Sequence, residues 1–139
     1  ANAFKEGKEA AGENGKMLRF SMQRMAYAAK NEQDAKEKNI LAYEYYKRFD
    51  NMYTGPGKVN RGLIEPLPRE QTLEELSENL LICETSQMID KLGMYSDAGV
   101  DEIIFSAGFG QTQEEMIESM YRISDQVIPF FNSTQSQVA

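Results

Sequence analysis

The chain has 139 residues, of which 41% are apolar and 27% are charged, and its formal net charge is -7. This length and composition predict a single globular domain over 1–139, which buries about two-thirds of the surface of its unfolded chain. The acidic balance argues against a nucleic-acid partner, because phosphate binding needs clustered Lys and Arg. No apolar run approaches the roughly 18 residues of a membrane span, so no membrane partner is expected.

Two residue types that often carry chemistry are scarce or missing. Cys83 is the single cysteine, and the chain has no histidine. One cysteine excludes an internal disulfide, and we therefore expect a cytoplasmic protein. Without histidine the chain lacks the commonest general base, the Ser/His and Cys/His nucleophilic pairs, and His-based metal sites. With no initiator Met and no secretory leader, we expect a processed product or a piece of a longer protein.

The first part of the chain predicts a helix, a strand and a second helix. Residues 4–13 fit a helix that ends at Asn14-Gly15, a pair typical of helix C-caps. An apolar segment over 17–29 predicts a strand that is buried only in part. Asn31 is the expected N-cap of a long helix. The apolar stripe predicted for that helix consists of Ala35, Ile40, Leu41, Tyr45, Phe49 and Met52.

The segment 54–70 is a long loop in the middle of the chain. It is rich in Gly and Pro and has no apolar periodicity. Long loops in compact domains are often functional or mobile. One hypothesis is therefore that this loop acts as a substrate lid in an intact enzyme.

The next part of the chain predicts two helices and a strand. Thr72 and Glu75 form a capping-box pattern for a short helix. A brief apolar piece, Leu80 to Cys83, leads to Thr85, which we expect to cap a helix that runs to about Asp97. The second predicted strand covers 101–107.

The last predicted helix begins with a second capping-box pattern, formed by Thr112 and Glu115. Its apolar side is predicted to consist of Met116, Met120, Ile123, Val127 and Phe131. Pro129 falls in its final turn, and 132–139 is the expected disordered tail. The element order αβα(α)βα therefore predicts an α/β fold with about two parallel strands and surrounding helices.

Three segments resemble the luciferase-like family of flavin-dependent monooxygenases. RMAYAAKNEQDA (24–35) resembles that family's strand-then-helix signature. ICETSQMIDKLGMYSDAGVDEIIF (82–105) resembles its Gly-Thr-Pro helix, followed by "AGVD" and the last barrel strand. EEMIESMYRISDQVIPFF (114–131) is similar to its C-terminal helix. The chain departs from the family at Glu84 and Ser86, which stand in place of the usual Gly and Pro and suit a helix start.

The resemblance implies a fold and a chemistry for a longer parent protein. The family fold is a (β/α)8 TIM barrel, which typically needs about 250 residues. The chain resembles only the C-terminal portion of such a barrel, with its last two strands. The implied activity is that of an FMN-dependent monooxygenase, which uses reduced flavin and O2 to oxygenate a small organic substrate. A separate flavin reductase supplies the reduced FMN in that family.

The missing strands also imply how the isolated chain behaves. Most residues that hold FMN in the family come from earlier strands, so we expect the chain alone to be inactive. Two strands cannot close a barrel, and they leave open sheet edges and exposed apolar surface. We therefore expect association, either as a homo-oligomer or with the missing N-terminal part of the barrel. The alternative is a non-catalytic α/β module for oligomerisation or binding.

The candidate cofactor-binding residues are Arg24, Ser106, Gly108 and Gly110, and the sequence identifies no catalytic residue and no metal ligand. Backbone N–H groups of the glycine loop could hold a phosphate at the start of the last helix. Glu114 places negative charge there, however, and the capping box uses the same N–H groups, so we favour a turn at the barrel mouth. Arg24 either faces the flavin or substrate or forms a structural ion pair, which we favour.

Other candidate residues have simpler interpretations. Cys83 has no histidine to activate it and is expected to be a buried structural thiol. Glu74 and Glu75 are adjacent on a helix and point in different directions, so we interpret them as favourable charge at a helix start. The many Tyr and Met side chains are expected to pack in the core rather than to line a flavin pocket.

Overall fold

A computed structural model describes residues 1–53 and 57–135. The helices in this part of the chain are α1 (Asn2–Ala10), α2 (Glu32–Tyr53), α3 (Leu73–Asn79), α4 (Thr85–Asp97), α5 (Gln113–Arg122) and α6 (Ile128–Gln135). The strands are β1 (Ser21–Ala29), β2 (Val59–Asn60), β3 (Leu63–Ile64), β4 (Leu81–Glu84) and β5 (Glu102–Ser106).

The main sheet is parallel and has the strand order β4-β1-β5. Ala26 of β1 is in register with Leu81 of β4, and Ser21 of β1 is in register with Glu102 of β5. The predicted α/β class is therefore confirmed, but the prediction of about two strands omitted β4. A short apolar run such as Leu81 to Cys83 has no periodicity that separates a buried strand from a buried helix.

Helices cover both faces of the sheet, so the described residues form three layers. The first core cluster lies on the α2–α3 face and contains Met25, Tyr27, Ala29, Ala42, Leu76, Leu80, Ile82 and Phe109. The second lies on the α4–α6 face and contains Ala26, Ala28, Leu81, Cys83, Met88, Ile123 and Val127. In a (β/α)8 barrel each strand pairs with the next and all helices lie on one face. Here β5 pairs with β1, and residues 1–53 and 57–135 form no barrel.

The burial pattern of α2 differs from the predicted apolar stripe. Asn31 caps the helix as predicted, since its Oδ1 accepts the Asp34 N–H at 2.9 Å. The residues that α2 buries are Lys38, Asn39, Ala42 and Asn51. Of the predicted stripe, only Ala35 packs against the core, and the prediction was wrong for Ile40, Leu41, Tyr45, Phe49 and Met52, which are exposed. The three buried polar side chains find partners on distant segments, which helical spacing does not reveal.

Helix ends follow the predicted caps in part. Both capping boxes are present, with Thr72 and Thr112 each accepting an N–H from the Glu three residues later. The helix before Gly99 ends as predicted, with Gly99 at a φ of 83° and its N–H donating to the Ser96 carbonyl at 2.9 Å. Thr85 is the first residue of α4 rather than its cap, because Glu84 holds the N-cap position.

The first helix begins and ends earlier than the predicted range of 4–13. It ends at Ala10, and a 3-10 turn over Gly12–Gly15 follows it, so Asn14-Gly15 is not its C-cap. The absence of a side chain at Gly15 allows its backbone to approach the Lys8 carbonyl, where a Cβ atom would clash.

The last predicted helix is interrupted. A π-helical turn over Ile123–Val127 separates α5 from α6, and the Ile128 N–H donates to the Ile123 carbonyl. Pro129 follows at once and has no N–H to continue an α-helical ladder, a common cause of such irregularities. Residues 132–135 of the expected disordered tail belong to α6, and 136–139 lie outside the described residues.

Candidate functional site

The parallel sheet brings the ends of three strands to one edge, where ligands bind in many open α/β sheets. The loop 107–112 follows β5 at this carboxyl edge, Lys30 and Asn31 follow β1, and Thr85 follows β4. Ser106, Gly108 and Gly110, three of the four candidate cofactor-binding residues, lie here.

The glycine loop is closed by its own side chains. Gln111 accepts the Phe109 N–H through Oε1 at 2.9 Å and donates to the Ala107 carbonyl through Nε2. Phe109 is buried and packs edge-on against Tyr27, with ring centroids 6.2 Å apart. Gly110 has a φ of 117°, which a residue with a side chain rarely adopts. These contacts favour the interpretation of the loop as a fixed turn.

The start of α5 offers little to a phosphate. The Thr112 hydroxyl accepts the Glu115 N–H at 3.2 Å, and the Glu115 carboxylate accepts the Thr112 N–H at 2.8 Å. Glu114 and Glu115 place two negative charges in the first turn. Because the capping box uses two of the N–H groups at this helix start and the charge has the wrong sign, the described residues do not fit the phosphate of FMN here.

A charged cluster, which the sequence did not predict, joins α2 to α5 beside this loop. Lys38 Nζ lies 2.6 Å from Glu115 Oε1 and 3.4 Å from Asp34 Oδ1, and the Lys38 side chain is 6% exposed. The hydrogen bond from Lys38, followed by that from the Thr112 N–H, lowers the pKa of Glu115 to about 2. Burial acts to lower the pKa of Lys38, but the hydrogen bond to Glu115 and the surrounding negative charge raise it overall.

The cluster continues along α5. Lys30 Nζ lies 2.6 Å from Glu118 Oε2, and Arg122 Nη1 lies 3.7 Å from the same oxygen. The Arg122 Nε donates to the Ala28 carbonyl at 2.7 Å, and the Ser119 hydroxyl accepts the Ala28 N–H at 2.8 Å. The pairing of β1 with β5 ends at Met25, and Ala28 lies beyond it. Helix α5 therefore satisfies the Ala28 backbone groups that a pairing strand would otherwise satisfy.

Tyr27 lies at the centre of these charges. Its ring is 1% exposed and lies 5.6 Å from Lys38 Nζ and 5.9 Å from Arg122 Cζ. Burial, together with the charge of Asp34, raises the pKa of the Tyr27 hydroxyl. Within the described part of the chain this hydroxyl has no hydrogen-bond partner. One signal for this cluster was present in the sequence, the i, i+4 spacing of Asp34 and Lys38, which indicates an ion pair but not its burial.

Arg24 and Ser106 point to opposite faces of the sheet. Arg24 is in register with Phe105 and belongs to the α4 face, where its Nε donates to the Tyr95 hydroxyl at 3.0 Å. Its Cζ also lies 5.3 Å from the centre of the Tyr95 ring. Ser106 is in register with Met25, whose side chain packs on the α2 face. The structure therefore does not bring Arg24 and Ser106 into one site.

Cys83 is the single thiol of the chain. Cys83 is buried, and this burial raises the pKa of its thiol, with partial offset from the charge of Lys91. A thiol of this kind is a poor nucleophile. The prediction of a buried thiol is confirmed.

The long loop contains a short hairpin, β2–β3, that is attached to the end of α2. Asn51 Nδ2 donates to the Lys58 and Glu65 carbonyls at 2.8 and 2.7 Å, and its Oδ1 accepts the Lys58 N–H at 2.7 Å. Because α2 returns the chain from the carboxyl edge, this hairpin lies towards the amino edge of the sheet. These positions favour a fixed connector over a lid, and residues 54–56 of the loop lie outside the described residues.

One apolar groove, the β5 groove, borders the outer side of β5. It has a volume of about 410 Å³ and lies between β5, α4 and the π-helical turn. Its apolar walls include Leu92, Ile103, Phe105, Val127 and Phe131. Within residues 1–53 and 57–135, no group of three metal-binding side chains could hold an ion. None of the helices in this part of the chain has the length and apolarity that a membrane crossing requires.

Comparisons with known proteins give one distant relative. The chain is 29% identical over 119 residues to the oxygenase component of a flavin-dependent trigonelline monooxygenase from Acinetobacter baylyi (strain ATCC 33305 / BD413 / ADP1). The match covers 81% of this chain and 33% of the relative, so the chain spans about a third of the length of that protein. No protein-family model matches the chain, and no solved structure matches it. The similarity supports the flavin-dependent monooxygenase part of the sequence-based prediction.

Proposed function

We propose that this chain is the C-terminal part of an FMN-dependent, luciferase-like monooxygenase that oxygenates a small organic substrate with reduced flavin and O2. The observation that carries the proposal is the similarity over 119 residues to the oxygenase component of a flavin-dependent monooxygenase. In the complete enzyme the flavin supplies the oxygen chemistry, and the protein positions the reactants and excludes water. Because that relative is an oxygenase component, we propose that a separate flavin reductase supplies the reduced cofactor.

The part of the site that this chain contributes is limited. Ser106, Gly108 and Gly110 lie at the carboxyl edge, and we propose that they line the mouth of the site. Arg24 is engaged by Tyr95 on the opposite face, so we assign it a structural role. Since the start of α5 does not fit a phosphate, we propose that residues outside this chain hold the FMN phosphate and that the chain alone is inactive.

A barrel for the complete protein also remains our proposal. The β1–α2–β4 connection is a parallel crossover unit of the kind that builds both barrels and open doubly wound sheets. In a complete barrel β5 would leave the edge of β1 and pair with β4 instead. A cytoplasmic location is proposed because the one thiol, Cys83, is free and buried.

The second candidate is a non-catalytic α/β module for oligomerisation or binding. It is favoured by the two core clusters, in which helices pack against both faces of β1 and β4. If the chain is such a module, neither flavin nor a reductase has a role, even in a longer protein that contains the chain.

A complementation experiment separates the two candidates. The Acinetobacter baylyi protein, expressed without the third of its length that matches this chain, would be combined with this chain, with the relative's own matching third as the positive control. Our proposal expects saturable quenching of FMN fluorescence by the combination and none by this chain alone. If the control restores flavin binding and this chain, verified as folded by circular dichroism, does not, the module is the better description.

A further inference from the structure

Strand β5 has an outer edge whose backbone groups are free to pair. The Glu102 N–H donates to the Phe20 carbonyl at 3.3 Å, so the backbone of Glu102 points towards β1. In a parallel pair this direction alternates along the strand. The N–H and C=O groups of Ile103 and Phe105 therefore point away from β1, where the described residues place no further strand.

The opposite edge of the sheet is protected by side chains. On the outer side of β4, Asn39 Nδ2 donates to the Ile82 carbonyl at 3.0 Å and Lys91 Nζ donates to the Leu80 carbonyl at 2.7 Å. Such side chains block the addition of another strand. None of the side-chain hydrogen bonds in the described part of the chain reaches the backbone of Ile103 or Phe105, so β5 is the edge that remains available.

The surfaces beside β5 are apolar on both faces of the sheet. On one face the β5 groove has walls of Ile103, Phe105 and neighbouring apolar side chains. On the other face Ile104 is 52% exposed although it is part of a strand. An added strand would therefore bury apolar surface on both sides while it satisfies backbone groups.

We propose that β5 pairs with β5 of a second copy of this chain, antiparallel and about a two-fold axis at Ile104. In this register Ile104 faces Ile104 of the partner subunit on one side of the sheet. Ile103 and Phe105, whose backbone groups point outwards, form the hydrogen-bonded pairs, with the aliphatic side chain of one opposite the aromatic ring of the other. The two β5 grooves then form one continuous apolar layer in a six-stranded sheet.

Strand β5 is complementary to itself in this antiparallel register, which points to a second copy as the occupant. Glu102, whose carboxylate already accepts the Ser21 hydroxyl at 2.6 Å, falls opposite Ser106, so its remaining acceptor sites meet a second hydroxyl donor at each end of the pair. The two Glu102 side chains are then about 14 Å apart along the strands, which exceeds the screening length of roughly 8 Å in physiological salt. A parallel arrangement in register would place the two Glu102 carboxylates side by side, where the like charges repel.

The test uses the 139-residue chain and does not depend on flavin, so its result is independent of the proposed function. Sedimentation velocity across micromolar concentrations would measure association of the wild type, Ile104→Lys and Ile104→Glu. We expect a wild-type dimer whose Kd rises about tenfold or more in either variant, because like charges then face each other at the axis. An equimolar mixture of the two variants should dimerise again. Phe49→Lys, a matched change at an exposed apolar residue of α2, should leave association unchanged.

Hydrogen exchange gives a readout that needs no mutation. The amide protons of Ile103 and Phe105 should exchange more slowly as concentration rises, while that of Ile104, which faces β1, stays protected throughout. A wild-type monomer at every concentration, loss of dimer in Phe49→Lys rather than Ile104→Lys, or failure of the mixture to restore dimer would each overturn the proposal.

Discussion

Lys38 and Glu115 are in direct contact across the carboxyl edge of the sheet, with 2.6 Å between Nζ and Oε1, and they connect α2 to α5. The two residues are far apart in the sequence: Lys38 lies on α2, which covers one face of the sheet, and Glu115 lies on α5, which is hydrogen-bonded to the end of β1 through Ser119 and Arg122. Since Asp34 also approaches Lys38, the lysine is shielded from water by two carboxylates. The ion pair therefore links α2 to the helix beside the end of β1, at the edge of the sheet where the glycine loop lies.

A double-mutant cycle with Lys38→Met and Glu115→Gln should show a favourable coupling free energy of about 1 kcal/mol, because Lys38 is buried while Glu115 retains part of its hydration. Urea unfolding of the wild type, the single variants and the double variant measures it. The same cycle at the exposed pair Lys36 and Glu32 serves as control and should give a smaller coupling. Equal coupling free energies at the two pairs would show that the burial of Lys38 does not strengthen its interaction with Glu115.

The same pair predicts how stability depends on pH. The pKa of Glu115 is lowered from 4.5 to about 2 in the folded state. A group whose pKa falls on folding stabilises the protein above its unfolded pKa, and this stabilisation is lost as the pH falls through the folded value. Glu115→Gln should therefore lose less stability than the wild type between about pH 5 and about pH 2. Identical losses in urea midpoints over this range would contradict the assignment.

Ser119→Ala should destabilise the fold by about 1–3 kcal/mol, because the buried Ala28 N–H then loses its acceptor. The free energy of unfolding in urea measures the effect. Ser124→Ala, at an exposed position in the following turn, is the control and should change stability little. Equal effects of the two substitutions would show that the hydrogen bond to Ala28 contributes nothing.

Asn51→Ala should release the β2–β3 hairpin from α2, because three hydrogen bonds between Asn51 and the hairpin backbone are lost. Limited trypsin digestion should then cleave at Lys58 or Arg61 several times faster than in the wild type. Asn60→Ala, an exposed change within the hairpin itself, is the control and should leave cleavage slow. Rapid cleavage of the wild type at these two sites would instead support the lid hypothesis.

Much of the local structure was determined by the sequence alone. Thr72 with Glu75 and Thr112 with Glu115 predicted two helix starts correctly, because a capping box is made by residues three positions apart. Asn31 and Gly99 were identified for the same reason, since helix ends depend on neighbouring residues. The apolar segments around β1 and β5 also identified two of the three parallel strands.

The tertiary structure alone decided which residues are buried and which strands pair. The polar Lys38, Asn39 and Asn51 of α2 are buried because Glu115, Ile82 and the hairpin backbone supply their partners, and no local pattern carries that information. Apolar residues of the same helix, such as Phe49, remain exposed in consequence. Caps and periodicity arise from contacts within a few residues, whereas burial and strand order arise from contacts between segments that only the folded chain brings together.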